Sequence, residues 1–371
     1  MSIQENHNPF IMSNKVEISV IIATFNSAKL LPKVLKSLYY QNIDKKRYEV
    51  IFVDGGSTDG TLTLARRSGI EVIHNPRTEP VYGKYLGYTK AKGKYILYLD
   101  HDEVLESSSS LVKKYTVFKE NSEVKAVIGA GYKNPPNYSF INEYINEFGD
   151  PFSFYIYRLS KNADYFLTEM KRRYSVLKDT DEYTLFRLYT AERMSIIELC
   201  AGGSMFDAAY MKSEFPDTLK NPALIPHFFY LMNTKKIIIA VTKNDALIHY
   251  SSDTFRKYLN KIKWRVKNNI FHVKTMGKAG FSGRLIYQSS KDKYRSYLYP
   301  LYVFSLLFPL MDSFYLVITR RKLLYMMHFP LSLYTGFFIL YYFLLKSLSI
   351  TYKLKSYDES KIISHSNNEE K

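Results

Sequence analysis

The residues best suited to chemistry stand together at Asp100, His101 and Asp102, where the apolar run Tyr95-Ile-Leu-Tyr-Leu99 meets polar side chains. That run is β-prone and apolar throughout, as a strand buried on both faces should be. Side chains two apart on an extended chain point the same way, so the spacing predicts that Asp100 and Asp102 converge on one cation. Hard carboxylate oxygens suit Mg2+ or Mn2+, and a divalent ion there would hold a diphosphate. For so short a pattern the plain alternative is a solvated acidic turn, and the upstream sequence bears on the choice.

The elements that must position this tripeptide alternate regularly. Glu17 to Thr24 reads as a buried strand, broken at Phe25-Asn26-Ser27. Ser27 is placed to N-cap a helix from Ala28 to Tyr40, with Leu30, Leu31, Val34, Leu35 and Leu38 at helical spacing. Tyr48 to Val53 is a second strand, ending in Asp54-Gly-Gly-Ser-Thr-Asp-Gly-Thr61. A helix near Thr61 to Ser68, a strand at Glu71 to His74 and a helix around Gly83 to Ala91 complete the series. Such alternation is the signature of an α/β fold with a mostly parallel sheet covered on both faces. Ligands bind there at the carboxyl ends of strands, and Phe25, Asp54 and Asp100 share that rim.

In this order, SVIIATFN, VDGGSTDGT, GKYLGYTKAKGKYILYLDHDE and the later CAGGSMF resemble the motifs of family 2 glycosyltransferases with the GT-A fold, over roughly residues 16 to 250. The resemblance implies an inverting transfer of a sugar from a nucleotide donor, assisted by a divalent metal. Thr24 and Phe25 fall on positions that line the nucleobase pocket. Asp54 falls on the carboxylate that accepts from the base, uracil or guanine; its usual acidic neighbour is Gly55 here. Ser57, Thr58 and Asp59 also read as a turn capping the next helix. Lys84 stands where the family usually has Arg, facing the diphosphate, unless it is a solvated helix lysine. Asp100 and Asp102 match the metal-binding D-x-D. Gly202 and Gly203 would let the backbone approach the bound sugar, or serve a tight turn. His249, ending a strand from Ala246, lies where related transferases place a His that helps bind metal or diphosphate.

One departure concerns the general base. The family usually carries an Asp at the start of the helix after the glycine loop, to take the acceptor's hydroxyl proton. The matching stretch, Ala223-Leu-Ile-Pro-His227-Phe-Phe-Tyr230, has no carboxylate. His227 is the nearest polar group, and an imidazole accepts protons near neutral pH. Glu198 is the alternative, and an already ionised phosphate acceptor would need neither. The absent base also fits a non-catalytic nucleotide-sugar or glycan-binding protein, which the intact Asp100 and Asp102 oppose. Elsewhere in the acceptor half, Leu111 to Phe118 reads as a helix, and Val124 to Ala130 and Ile237 to Val241 as strands. Residues 132 to 195, rich in Tyr, Arg and Lys with helical stretches, name no acceptor.

The 371 residues suffice for one large or two ordinary domains. The net charge of +17 suits nucleic acid, anionic lipid or phosphorylated ligands alike. The single cysteine, Cys200, excludes an intrachain disulfide, and no Cys/His cluster has zinc spacing. The first 15 residues lack the apolar core of a signal peptide, so the catalytic part is expected in the cytosol. Between 254 and 297, Arg256, Lys257, Lys261, Lys263, Arg265 and Lys267 interleave with Phe255, Tyr258, Leu259, Ile262, Trp264 and Val266. This resembles a cationic amphipathic helix on an anionic membrane surface. No nucleic-acid recognition module accompanies it, and nucleic acid is not expected as a partner. Leu298 to Ile318 and Leu323 to Leu345 are apolar runs near the ~20 residues a spanning helix needs. A spanning hairpin would put Arg320, Arg321 and Lys322 outside, against the positive-inside tendency; an in-plane hairpin avoids that, and both stay open. The Q-x-x-R-W signature of processive synthases is missing, Trp264 following Lys263.

The organisation expected is a leader (1–15), a GT-A catalytic domain (16–253) with nucleotide-binding (16–106) and acceptor (107–253) halves, a basic amphipathic segment (254–297), a hydrophobic membrane hairpin of two helices (298–346) and a polar tail (347–371). The activity expected is transfer from a UDP- or GDP-linked sugar to a polyprenyl-linked glycan in surface polysaccharide or glycoprotein glycan assembly, at the cell membrane and facing the cytoplasm. Polyprenyl phosphate itself is the alternative acceptor.

Overall fold

The computed structural model describes residues 16–188 and 197–355. The leader, the end of the 132–195 segment and the tail beyond 355 lie outside the described residues. Strand β1 (Ile18–Thr24) is buried along its whole length and takes parallel partners on both edges, β2 (Tyr48–Asp54) and β4 (Tyr95–Asp100). Their register pairs Thr24 with Asp54 and Ala23 with Asp100, so the three carboxyl ends finish level. Strand β3 (Glu71–His74) extends the row beyond β2. Helices α1 (Leu31–Tyr39), α2 (Thr61–Arg67) and α3 (Pro80–Lys90) form the crossovers. Alternate strand residues feed two cores: Val20, Ile22, Leu97 and Leu99 pack with Leu31 and Val34, while Ile21, Ile51, Val53 and Ile96 pack with Tyr88.

Ser27 does not cap α1, which starts three residues later than the sequence pattern suggests. Pro32 belongs in a first helical turn, which places the start there. The Ser27 hydroxyl donates instead to the Phe25 carbonyl at 3.1 Å.

Beyond β4 come β5 (Glu103–Leu105), α4 (Ser110–Glu120), β6 (Val124–Ile128), β7 (Tyr132–Lys133), α5 (Phe140–Phe148), α6 (Pro151–Tyr157) and α7 (Phe166–Arg173). The hairpin β8 (Ser175–Asp179) and β9 (Tyr183–Arg187), then β10 (Met205–Asp207), α8 (Ala208–Glu214), α9 (Phe228–Thr234), β11 (Ile238–Thr242) and β12 (Leu247–His249) follow. The main sheet runs β3-β2-β1-β4-β10-β6-β11-β9-β8. It is parallel through β4, but β10 is antiparallel to both its neighbours, and so is β9. A mostly parallel sheet therefore describes the nucleotide-binding half alone. The hairpin departs from the helical reading of its segment: β8 is exposed at every position and carries no apolar pattern. A second sheet, β5-β12-β7, sets His249 opposite Glu103.

A buried ion pair ties α4 to the turn after β11. Lys114 Nζ lies 2.5 Å from Asp245 Oδ2, both side chains being 1% exposed. Thr242 donates to the same oxygen at 2.7 Å.

The C-terminal part comprises α10 (Phe255–Phe271), α11 (Phe281–Arg284), α12 (Ser290–Tyr297), α13 (Tyr299–Phe304), α14 (Leu307–Arg320) and α15 (His328–Ser347). The first apolar run is two helices, broken at Leu306, where φ is 59°. Among the described residues one helical stretch, Leu323–Ser347, is long and apolar enough to cross a membrane, with mean hydropathy 1.5. The basic helix α10 also differs from a helix lying bare on lipid. It packs along α15, with Tyr334 Oη donating to the Leu259 carbonyl at 3.4 Å and Lys346 Nζ to that of Ile270 at 2.6 Å. Its apolar face is thus covered by protein.

Lys114→Met leaves Asp245 buried without its cation and is expected to cost about 3–5 kcal/mol in denaturant unfolding. Adding Asp245→Leu is expected to recover most of that loss; a double variant as unstable as the single would assign the cost to packing.

Candidate active site

The rim at the carboxyl ends of β1, β2 and β4 holds the expected residues, but each does a particular job. Asp54 is 2% exposed. Its Oδ1 accepts from Thr24 Oγ1 at 3.1 Å and Ser57 Oγ at 2.5 Å, and its Oδ2 from the N–H groups of Gly56 and Ser57 at 2.8 and 2.9 Å. A carboxylate has about four acceptor positions, and all are taken. Asp54 therefore builds the loop and presents no open acceptor to a base, which departs from the role the resemblance implies. Asp59 fits its capping reading: it accepts from Ala28 N at 2.9 Å and from Thr61 Oγ1 at 2.6 Å, lacing the loops after β1 and β2 together. Half-buried Phe25 sits between those loops at the end of β1.

Asp100 and Asp102 do not converge. Strand β4 ends at Asp100, and His101 and Asp102 lie in a turn, so the two-residue period of a strand no longer applies. Asp100 Oδ1 pairs with Lys84 Nζ at 2.6 Å. Burial works against the lysine's charge, but Asp100 more than offsets it and raises the Lys84 pKa. Lys84, 6% exposed, is thus a fixed buried cation and not a solvated one. Asp102 Oδ2 faces His249 Nε2 at 3.6 Å. Burial opposes its ionisation, yet His249 holds its carboxyl well below the ordinary range.

Among the described residues no three His, Cys, Asp or Glu side chains cluster as a metal cage. The metal set expected from sequence therefore divides: Asp102 with His249, and Asp100 with Lys84. The Asp102–His249 pair still fits a divalent ion. Asp102 Oδ2 and His249 Nε2 face each other 3.6 Å apart, a separation two ligands of one ion can have, and Mg2+ is commonly held by one or two protein groups with substrate phosphates completing its shell.

Glu103, next in sequence, joins the parts. It is 1% exposed and accepts from Asp100 N at 2.9 Å, Gly202 N at 3.0 Å and Tyr132 Oη at 3.0 Å. Burial and neighbouring Asp100 push its carboxyl up to about 7. Gly202 and Gly203 have φ of 70° and 59°, so the turn itself requires both glycines. A Cβ on Gly203 would also lie 2.9 Å from Leu247 Cδ1.

Beside this turn lies a pocket lined by Tyr132, Lys161, Glu198, Gly202 and Ser204. Glu198 Oε1 pairs with Arg284 Nη1 at 3.0 Å. Burial raises the Glu198 pKa, but Arg284 and then Lys161 outweigh it, and the carboxyl stays low. Lys261 is pulled down to about 8, first by burial and then by Arg265, while Asp102 and Asp100 act in the other direction. Two cations of α10 therefore act on the site. His227 is sealed off beside Arg284 and Glu198: it is 2% exposed, and its Nε2 lies 2.8 Å from the Lys278 carbonyl. Burial pushes its pKa down to about 4. It holds the segment leading to Arg284 and is not placed as a base.

Residues 19–182 match the family described as Glycosyl transferase family 2. Within those residues lies a family 2 glycosyltransferase domain. A cholesterol galactosyltransferase of Borreliella burgdorferi is 31% identical over 116 residues, 30% of this chain and 32% of that protein. A dolichyl N-acetyl-alpha-D-glucosaminyl phosphate 3-beta-D-2,3-diacetamido-2,3-dideoxy-beta-D-glucuronosyltransferase of Methanococcus voltae is 32% identical over 87 residues, 22% of this chain and 27% of that protein. The match thus spans about a third or less of these curated relatives. The solved mannosyltransferase PcManGT of Pyrobaculum calidifontis, in complex with GDP-Man and Mn2+, is 13% identical, covers 90% of this chain and 88% of its own, and has a TM-score of 0.50. That likeness concerns the fold, which is GT-A.

In the glycosyltransferase domain and its flank, sequence reasoning missed Glu103, Lys161, Lys261, Arg265 and Arg284. Lys261 and Arg265 are four apart, a spacing that sets both on one helix face. Glu103 directly follows the D-x-D. Arg284 stands in a segment with no motif.

His227 sets a testable pH dependence. Its folded pKa lies below its ordinary 6.5, so between those values the unfolded chain binds the proton and the folded chain does not. Its contribution, on the order of 3 kcal/mol, is present above pH 6.5 and lost as the pH falls towards 4. Unfolding of His227→Gln should fall less steeply across that window, with the acid limb of kcat unchanged. A limb that disappears in the variant would restore a proton-transfer role.

Proposed function

We propose that the chain is an inverting glycosyltransferase that moves a sugar from a UDP- or GDP-linked donor to a lipid-linked acceptor at the cytoplasmic face of the cell membrane. The observation that carries this reading is the juxtaposition of Lys84–Asp100 and Asp102–His249 on the rim with the pocket of Lys161 and Glu198, which Glu103 joins through Tyr132 and Gly202. Asp102 and His249 would hold Mg2+ or Mn2+, which when bound supplies positive charge for the departing nucleoside diphosphate. Lys84 adds a cation already fixed in place, so no reorganisation is needed as charge develops on the leaving group. The loops after β1 and β2 would cradle the nucleobase against Thr24 and Phe25. The 202–203 turn would lie against the sugar. The names of these two relatives, a cholesterol galactosyltransferase and a transferase to a dolichyl phosphate-linked sugar, support a lipid acceptor.

A second reading has its own observation. His227 bonds the Lys278 carbonyl and Glu198 is paired with Arg284, so neither is set to take a hydroxyl proton. A phosphate oxygen is already ionised and needs no base, and Lys161, Arg265 and Arg284 would attract it. Polyprenyl phosphate as acceptor, or a phosphate-linked glycan, follows from that chemistry.

The test is nucleoside diphosphate release by purified protein with Mn2+ and a panel of UDP- and GDP-sugars, offered polyprenyl phosphate or a lipid-linked sugar. Metal-dependent release, falling at least about 100-fold in Asp102→Ala, is expected. Donor binding without release on any acceptor would sink the reading. Glu198→Gln separates the acceptors: a change within about tenfold fits a phosphate oxygen, a loss beyond about 100-fold a hydroxyl.

A further inference from the structure

The crossing-length helix is held to the catalytic body at both ends. At its start, Arg320 Nε lies 2.6 Å from Glu147 Oε1 and Nη2 3.1 Å from Glu169 Oε1. The Arg320 side chain is 8% exposed and that of Glu147 fully buried. Lys322 pairs with Glu143, and Tyr325 donates to Glu147. These carboxylates belong to α5 and α7, so the cationic hinge rests on the acceptor half. Asp312, midway along α14, is clasped by both guanidinium nitrogens of Arg158 at 2.5 and 2.6 Å. At the far end of α15, Lys346 reaches the end of α10 at the Ile270 carbonyl. Between these points α15 runs beside α10, which carries Arg256, Lys257, Lys261, Lys263, Arg265 and Lys267.

A spanning α15 would have to abandon these contacts or take α10 with it. Leaving Glu147 buried without Arg320 costs about 3–5 kcal/mol. Taking α10 along would put Lys and Arg side chains in hydrocarbon at about 2.5–3.5 kcal/mol each at the bilayer centre. Both routes are unfavourable, while the outer sides of α14 and α15 remain apolar. Pro309, Ser313 and Leu316 are buried on α14, and Leu307 and Phe314 on its other side are more than half exposed. On α15, Leu331, Thr335 and Tyr342 are buried, and Phe337 and Leu344 are more than half exposed. Lys263 Nζ lies 5.3 Å from the Phe338 ring, so cationic side chains flank the apolar stripe.

We propose that α14 and α15 form a monotopic hairpin that lies in one leaflet of an anionic bilayer, its hinge on the same side as the catalytic domain. The stripe enters the acyl region while the cations of α10 meet the headgroups, and the net charge of +17 favours anionic lipid. This inference goes beyond the transfer reaction and does not depend on it, because its readouts are labelling and flotation, not turnover.

The full chain is expressed in bacteria with Arg321→Cys at the exposed hinge, Lys46→Cys serving as an exposed catalytic-domain control. Native Cys200 is buried, and the parent protein reports its background. An impermeant maleimide should label both variants in inside-out vesicles and neither in right-side-out vesicles. Labelling of Arg321→Cys only from the right-side-out face would overturn the proposal. Purified Phe314→Glu/Phe337→Glu, altered only on the outer stripe, should lose flotation with phosphatidylglycerol vesicles while its thermal unfolding stays unchanged. Undiminished flotation, or a stripe buried between two copies as shown by a dimer that the double variant dissociates, would also overturn it.

Discussion

The buried carboxylate of Glu103 is the interaction on which the site depends. It takes backbone N–H groups from the end of β4 and from the glycine turn, and a hydroxyl from β7. These elements come from separate parts of the chain, and within the described residues Glu103 joins all three. A carboxylate accepting several donors is worth its desolvation only while those donors are present. The turn at 202–203 and the strand end at 100 are therefore fixed relative to each other before any substrate arrives.

With that joint in place, the charges on the rim divide between two tasks. Lys84 neutralises Asp100, while Asp102 faces His249, the pair proposed to hold a cation. Neighbouring carboxylates without counterions would raise each other's pKa. Pairing one with a buried lysine avoids this. In the proposed reaction it would also place a permanent cation near where negative charge develops as the sugar–phosphate bond breaks. The loop side is stiffened in the same way, because Asp54 and Asp59 accept from backbone N–H and hydroxyl groups of residues 24 to 61.

Much of this was legible in the sequence, and what was not has physical causes. The buried strands β1, β2 and β4 are continuous apolar runs, which few other structures accommodate. Their ends, and so Thr24, Asp54 and Asp100, followed directly. Asp54's engagement was hidden, because whether a carboxylate serves a ligand or its own loop depends on backbone N–H directions that residue types do not encode. The parting of Asp100 from Asp102 was hidden because the strand ends between them. His227 lay in the right stretch, but its partner, the Lys278 carbonyl, is 51 residues away. Lys161 and Arg284 come from segments without motifs and meet the site only through tertiary packing. The hairpin β8–β9 carried too little apolar patterning on its exposed strand to announce itself.

Helix α10 links the chemistry to the apolar hairpin. On one side Lys261 donates to Ser251 Oγ at 2.6 Å and Arg265 lies 3.4 Å from Asp150 Oδ2, and the other side packs along α15. At 17 residues it is about 25 Å long, comparable to most of a bilayer's hydrocarbon thickness. Lying in the plane, it extends along the surface and keeps its cations at one depth; standing upright, it would spread them across the membrane. The proposed in-plane arrangement would therefore fix the height of the pocket above the leaflet. On the proposed reading, an acceptor whose lipid tail stays in that leaflet would meet the cations of α10 at the level of its headgroup. A soluble acceptor would gain nothing from this placement, because only a tethered substrate has its height set by the membrane. The rigidity of the joint between α15, α5 and α10 thus bears on substrate choice as well as on anchoring.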